Sequence, residues 1–103
     1  MERNIELEQG SVLGWCDPAF ESVLKAFVDN FNQRGEIGAG LAVYQHGTCL
    51  VNLQGGFSDL ERGHPWQEDT LCVVHSCTKA ATALCLHHLI DQADLQLNDP
   101  VTR

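Results

Sequence analysis

Asp17-Pro18-Ala19-Phe20-Glu21-Ser22-Val23-Leu24-Lys25-Ala26-Phe27-Val28-Asp29-Asn30-Phe31-Asn32-Gln33-Arg34-Gly35 is the stretch around which the rest of the chain is read. Asp is a residue type that caps helix N-termini, and Pro suits the first helical position because its φ is preset and its missing N–H has no partner there anyway. Phe20, Val23, Leu24, Phe27, Val28 and Phe31 follow at i, i+3, i+4, i+7, i+8 and i+11, which is one face of a helix. Gly35 ends the pattern directly after Arg34. Three phenylalanines on one face need a broad, flat partner such as a sheet.

Downstream, residues 37–44 read as a strand containing Gly38 and Gly40, His46-Gly47 as a short turn, and residues 48–53 as a second strand followed by Gly55-Gly56. The two strands make a β-hairpin. Residues 58–65 are polar and turn-rich, with Asp59-Leu60-Glu61-Arg62-Gly63 as a loop. A short apolar segment at 71–74 then gives way to a helical pattern running to about Asp91. Asn98-Asp99-Pro100 marks a turn or break. Upstream, residues 1–14 are polar with scattered apolar positions and are expected to be a loose lead-in. The order helix, hairpin, loop, helix gives an α+β class. A two-stranded sheet is marginal by itself, so the chain reads as the first part of a larger fold.

The whole chain has 103 residues, 44% of them hydrophobic, and a net charge of −8. That length bounds it to one domain at most. The charge argues against nucleic acid and anionic membranes as partners, and no apolar run approaches a transmembrane span. The N-terminal residues 1–8 are charged and lack the apolar stretch of a secretory signal. Cys16, Cys49, Cys72, Cys77 and Cys85 are odd in number and show no paired spacing, so free thiols in a reducing, cytoplasmic setting are expected.

Ser76-Cys77-Thr78-Lys79 carries the chemistry. Positions i and i+3 share a helix face, so the lysine can reach back to the serine oxygen. A serine hydroxyl needs a neighbouring base to become a nucleophile. A lysine serves as that base when burial or positive potential lowers its pKa. The first turn of a helix supplies such potential, and its free N–H groups can stabilise an oxyanion. The plain alternative is that Ser76 caps the helix and Lys79 is a solvated first-turn lysine.

From these residues outward, the chain resembles the β-lactamase-like serine hydrolases, and within them the class C β-lactamases, related carboxylesterases and penicillin-binding proteins. The resemblance covers most of residues 13–101. It runs through the 17–35 helix, Gly38-Ala39-Gly40-Leu41-Ala42-Val43-Tyr44 and the His46-Gly47 turn. Gly55-Gly56-Phe57-Ser58-Asp59 is similar to the family's GG-x-x-D strand exit. Pro65-Trp66-Gln67-Glu68-Asp69-Thr70-Leu71 resembles P-x-x-x-D-T-x-F, Ser76-Cys77-Thr78-Lys79 resembles S-x-T-K, and Leu95-Gln96-Leu97-Asn98-Asp99-Pro100-Val101 resembles L-x-L-D-D-P-V. The matching segments occur in the family's order, which is far more specific than the tetrapeptide.

The resemblance implies a partial β-lactamase/transpeptidase-like fold: an antiparallel hairpin covered by the N-terminal helix, then the nucleophile helix. Residues 1–103 would be the N-terminal part of a single domain whose remainder is missing. It also implies acyl-enzyme hydrolysis of an ester or amide in the intact protein, with Ser76 as nucleophile and Lys79 helping to activate it. Thr78 would shape the first helical turn, and the Ser76 backbone N–H would form half of an oxyanion hole. No cofactor is implied, and the partner is a small-molecule acyl substrate. The lack of an export signal favours esterase or amidase action over antibiotic defence.

The departures are equally specific. Family members are usually much longer and carry a downstream Tyr-x-Asn motif and a Lys-Thr-Gly-like or His-x-Gly motif. Neither occurs here. Tyr44 is the only tyrosine and precedes Gln45-His46, so it is not the Tyr of Tyr-x-Asn. The 103-residue chain alone is therefore expected to be inactive, with Lys79 an ordinary protonated amine. A non-catalytic truncated or degenerate relative, acting by binding or assembly, is the alternative.

The remaining candidates carry less. Cys72, His75, Cys77, His87 and His88 lie close together without a strong zinc spacing, and Cys85 and His88 add only an i, i+3 pair. No metal is expected, a small metal-binding domain being the third reading. His75 either lines the cleft or is a structural histidine. Cys77 is either redox-sensitive at a helix N-terminus or buried and inert. On the family reading Cys85 is helix core. Trp66 reads as packing near the sheet edge, Asp69 as a turn or cap residue, and the acidic 2–8 stretch as a solvated face.

Overall fold

Asp17 begins the helix as its residue type requires. Its Oδ1 accepts a hydrogen bond from Ala19 N at 2.9 Å. Pro18–Phe20 make one 3-10 turn, and the helix α1 then runs Glu21–Arg34. Gly35 ends it in the left-handed region at φ 73°, where glycine carries no Cβ penalty. These atoms belong to a computed structural model that describes residues 1–100 and 102. Val101, the last residue of the 95–101 segment, lies outside the described residues. The chain divides into two units, Met1–Thr70 and Leu71–Arg103.

In the first unit, among the described residues, the sheet has five strands. They are β1 Glu2–Glu6, β2 Ser11–Cys16, β3 Gly38–Gln45, β4 Thr48–Asp59 and β5 His64–Pro65. The order is β1-β2-β4-β3, all antiparallel, with β5 on β4. The α+β class and the β3–β4 hairpin therefore hold.

Three expectations are corrected. The 1–14 lead-in is not loose: it forms β1 and most of β2, paired Glu2↔Trp15 to Glu6↔Ser11. The sheet is not two-stranded, because β2 pairs along β4 with Val12↔Gly55 and Cys16↔Val51. The second hairpin strand does not stop at residue 53: β4 runs on to Asp59 and β5 forms at His64–Pro65, so the expected 59–63 loop is the turn at 60–63 between them.

Gly55-Gly56 explains why β4 outruns its expected end. A Cβ on Gly55 would stand 2.8 Å from Phe31 Cζ and 3.0 Å from Val12 Cγ2. One on Gly56, whose φ is +70°, would stand 2.0 Å from the Ile37 carbonyl oxygen. The glycines let the α1 ring and the neighbouring backbone close on the strand. They do not break it.

Val12, Cys16, Leu24, Phe27, Val51 and Leu53 form the buried core. Ile5, Phe20, Val28, Phe31, Leu41 and Val43 pack around it. The α1 stripe thus meets one sheet face, as its phenylalanines demand. Phe27 and Phe31 lie edge to face, their centroids 5.3 Å apart. Each full burial of such a side chain contributes about 1.5–3 kcal/mol. An Arg3–Glu21 ion pair links β1 to α1.

On the opposite sheet face Leu13 and Trp15 stay half-exposed. There Asn52 Nδ2 donates to Glu68 Oε1 at 3.0 Å, and Gln54 Nε2 donates to Asn52 Oδ1 at 2.7 Å. Trp66 packs at the edge strand as expected: a Cβ on Gly38 would come within 2.7 Å of its Cε3. Asp69 sits in a turn closed by Thr70 N donating to the Gln67 carbonyl at 3.1 Å.

In the second unit, residues 71–74 are irregular, His75–Cys77 make a 3-10 turn, and α2 spans Thr78–Gln92. Its C-terminus is closed by Ala93 N donating to the Leu89 carbonyl at 2.8 Å. No residue of α2 is buried. Cys85, expected in a helix core, is exposed, as is Cys77. Apolar residues are spread around α2 rather than gathered in a stripe, so no single face collects them. All five cysteines are free. Among the described residues no helix is long and apolar enough to cross a membrane.

Candidate active site

Ser76 stands in the middle of the 3-10 turn that precedes α2. Two backbone bonds build that turn. Cys77 N donates to the Val74 carbonyl at 3.0 Å, and Thr78 N donates to the His75 carbonyl. Thr78 then opens the α-helix, and Thr82 Oγ1 donates back to its carbonyl at 3.1 Å. The positive end of the α2 dipole therefore bears on Ser76.

Lys79 lies in the first turn of α2, on the same side as Ser76. Its Nζ donates to Ser76 Oγ at 2.7 Å. Both side chains are exposed. An open groove is lined by His75, Ser76, Thr78, Lys79, Thr82 and Leu86. Its lining recurs along one helical face, so Thr82 and Leu86 were readable from spacing alone once Ser76 and Lys79 were chosen. His75 lines the groove and is exposed. One feature had no sequence signal: His75 adopts a positive φ of 45°.

The other candidates lie elsewhere in their own units. Tyr44 is on β3, in the first unit, and is exposed. The neighbouring Cys49 raises its pKa, first by hydrogen bonding and then by charge, with smaller contributions from burial and Glu68. His87 and His88 are exposed on α2. Among the described residues no group of three or more His, Cys, Asp or Glu side chains is arranged to hold a metal ion.

What this arrangement offers is a hydroxyl with an amine beside it at a helix N-terminus, open to a ligand. Comparison with known proteins agrees in family. The beta-lactamase family model matches residues 20–103. The chain is 37% identical over 90 residues to an esterase/beta-lactamase, LipL, of Mycobacterium tuberculosis, covering 87% of this chain and 21% of that protein. It is 34% identical over 97 residues to the esterase EstB of Burkholderia gladioli, covering 94% and 23%. A teichoic acid D-alanine hydrolase of Staphylococcus aureus is 26% identical over 87 residues, covering 84% and 21%. No solved structure matches the chain. It thus spans between 21% and 23% of the length of these curated relatives. With the model matched from α1 to the last residue, and two relatives above 30% identity, the chain belongs to the beta-lactamase family.

Proposed function

We propose that this chain carries the nucleophile segment of a serine hydrolase that cleaves a small ester or amide through an acyl-enzyme. The observation that carries this reading is the 2.7 Å contact between Lys79 Nζ and Ser76 Oγ. Ser76 Oγ attacks the substrate carbonyl carbon while its proton passes to Lys79, which accepts it in the unprotonated form. The Ser76 backbone N–H, at the positive end of α2, stabilises the oxyanion that develops. The tetrahedral adduct expels the alcohol or amine, which takes up the proton. Water then attacks the acyl–Ser76 ester and releases the acid.

The relatives' names support an ester, since EstB is called an esterase and LipL an esterase/beta-lactamase, the second half of which also admits a lactam amide. The net charge of −8 supports a neutral or cationic small substrate over nucleic acid. Five free thiols support a reducing, cytoplasmic setting. On this reading residues 1–103 are the N-terminal part of one β-lactamase/transpeptidase-like domain, α2 is its nucleophile helix, and the rest of the catalytic machinery comes from further sequence.

The test is fluorophosphonate labelling of the full-length protein that contains this chain, with the labelled residue identified by mass spectrometry. Label at Ser76 that disappears in Ser76→Ala supports the reading. Label elsewhere, or none while short-chain esters are still hydrolysed, overturns it.

A further inference from the structure

A cavity of about 290 Å³ opens at the C-terminal end of α1, wholly within the first unit. Three segments distant in sequence wall it: the β1–β2 turn, the end of α1 with the residues after it, and the end of β4. Backbone bonds fix each of them. Leu7 N donates to the Gly10 carbonyl at 3.1 Å, Glu36 N to the Asn30 carbonyl at 3.1 Å, and Phe57 N to the Ile37 carbonyl at 2.7 Å. Gly10 lies close against the Phe57 ring, since a Cβ there would stand 3.1 Å from Phe57 Cε2. The cavity is thus formed by the sheet and α1 themselves, at the small end of the size range of ligand sites.

Its walls are of two kinds. Leu7, Phe31, Ile37 and Phe57 supply apolar and aromatic surface, and Glu8 and Glu36 supply carboxylates. Glu36 is held in place, its Oε1 accepting from Ile37 N at 3.1 Å. Among the described residues no lysine, arginine or histidine lines the cavity. The described basic side chains are engaged elsewhere: Arg3 with Glu21, Lys25 with Asp29, Arg62 with Asp59, Arg34 with Asn30 and Lys79 with Ser76. Arg34, at the last position of α1, lines a separate groove with Ala26 and Ala39. The C-terminal carbonyls of α1 add the negative end of its dipole.

These features select a ligand class. An anion would meet two carboxylates and a helix C-terminus of the same sign. A bare metal ion needs about six or more oxygen donors, and Leu7, Phe31, Ile37 and Phe57 offer it none. A neutral apolar molecule suits the rings but strips water from the carboxylates without compensation. A cation coated in carbon suits both kinds of wall, because carboxylates attract its charge and aromatic rings attract an alkylammonium.

We infer that this cavity is a binding site for a small organic ammonium ion, its charge toward Glu8 and Glu36 and its carbon coat against Phe31 and Phe57. The site uses residues of the first unit only, so it does not rest on the hydrolase reading.

The test is isothermal titration of the full-length protein with benzyltrimethylammonium, with benzyl alcohol and benzoate as the neutral and anionic comparisons. One-site binding of the ammonium ion with a Kd below ~5 mM is expected, and the alcohol and benzoate should bind at least ~10-fold more weakly. The double variant Glu8→Gln, Glu36→Gln should lose at least ~10-fold in affinity. The double variant Glu2→Gln, Glu61→Gln removes the same charge elsewhere and should stay within about twofold of the parent. Both cavity carboxylates are exposed, so their removal should leave the thermal midpoint nearly unchanged. If the first double variant does not fold, Glu8→Gln alone replaces it, with the same direction expected. A parent that shows no saturable binding overturns the inference. Equal binding of benzyl alcohol overturns it by leaving the charge no role. Equal weakening in the two double variants also overturns it, because net charge rather than this cavity would then hold the cation.

Discussion

Lys79 Nζ lies 2.7 Å from Ser76 Oγ, one helical turn along the chain, with both side chains open to solvent at the start of α2. The contact is local. It depends on the i, i+3 geometry of the turn and not on any other element. Removing the amine should therefore affect chemistry and leave folding nearly untouched. Lys79→Ala in the full-length protein is expected to slow Ser76 acylation by about 10²–10⁴-fold, the range for loss of a positioned base. Its thermal midpoint should stay close to the parent's. Labelling rates and thermal melts of the same preparations check both halves.

The core of the first unit makes the opposite prediction. Leu24 is 2% exposed and sits between α1 and the sheet. Leu24→Ala is expected to destabilise the protein by about 2–5 kcal/mol, the transfer loss plus the cavity left behind. Denaturant unfolding followed by tryptophan fluorescence measures it.

Gly56→Ala should also destabilise, for a different reason. The new methyl would stand 2.0 Å from the Ile37 carbonyl oxygen at a backbone φ of +70°. The β3–β4 pairing Gly38↔Gly56 has to open to make room. Soluble yield and hydrogen exchange of the β3 amides are expected to change together. A fully stable Gly56→Ala protein would contradict the register.

Asp17 gives a milder test. Its carboxylate accepts from Ala19 N at 2.9 Å, and Asp17→Ala removes that cap. The expected loss is about 0.5–2 kcal/mol, whereas Asp17→Asn should keep most of the stability. Urea midpoints of the two variants separate the cap from a general effect of charge.

Tyr44 predicts a pH dependence. It is the only tyrosine in the 103-residue chain, so its phenolate absorbance is read without overlap from another phenol. Hydrogen bonding to Cys49, and then the charge of the Cys49 thiolate, raise its pKa above the ordinary 10.0. The folded protein thus holds this proton more tightly than the unfolded chain. The associated stability is fully present below the ordinary phenol pKa and is lost as pH rises through the folded value. In Cys49→Ala the titration midpoint should move down toward the ordinary phenol range. An unchanged midpoint in that variant would sink the assigned cause.

Local patterns are legible in the sequence. The six-residue apolar stripe of α1, its Asp17 cap and its Gly35 stop are each contained within one helix. The pairing of Ser76 with Lys79 is likewise local, the two residues lying three apart in the chain. Residues 1–14 read as a loose lead-in because β1 carries Glu2, Arg3 and Glu6, and because β2 has apolar residues on both faces: Val12 and Cys16 inward, Leu13 and Trp15 outward. Neither run shows a polar/apolar alternation of period two. The sequence puts the end of β4 early because Gly55-Gly56 is by itself a turn signal. Only the approach of Phe31 shows that it serves close packing.

The sequence by itself determined the α+β class, the two helices, the β3–β4 hairpin, the serine–lysine pair and the family. All of these rest on interactions between residues near one another in the chain, or on ordered short segments, and those leave periodic or motif-sized traces. The tertiary structure alone decided that residues 1–16 build two strands, that Val12 meets Gly55 across the sheet, and that His75 takes a positive φ. A strand pairing distant in sequence depends on a complementary edge elsewhere, and a single unusual φ depends on the path of the chain on both sides. Neither has a local energy signature strong enough to be read from residue types.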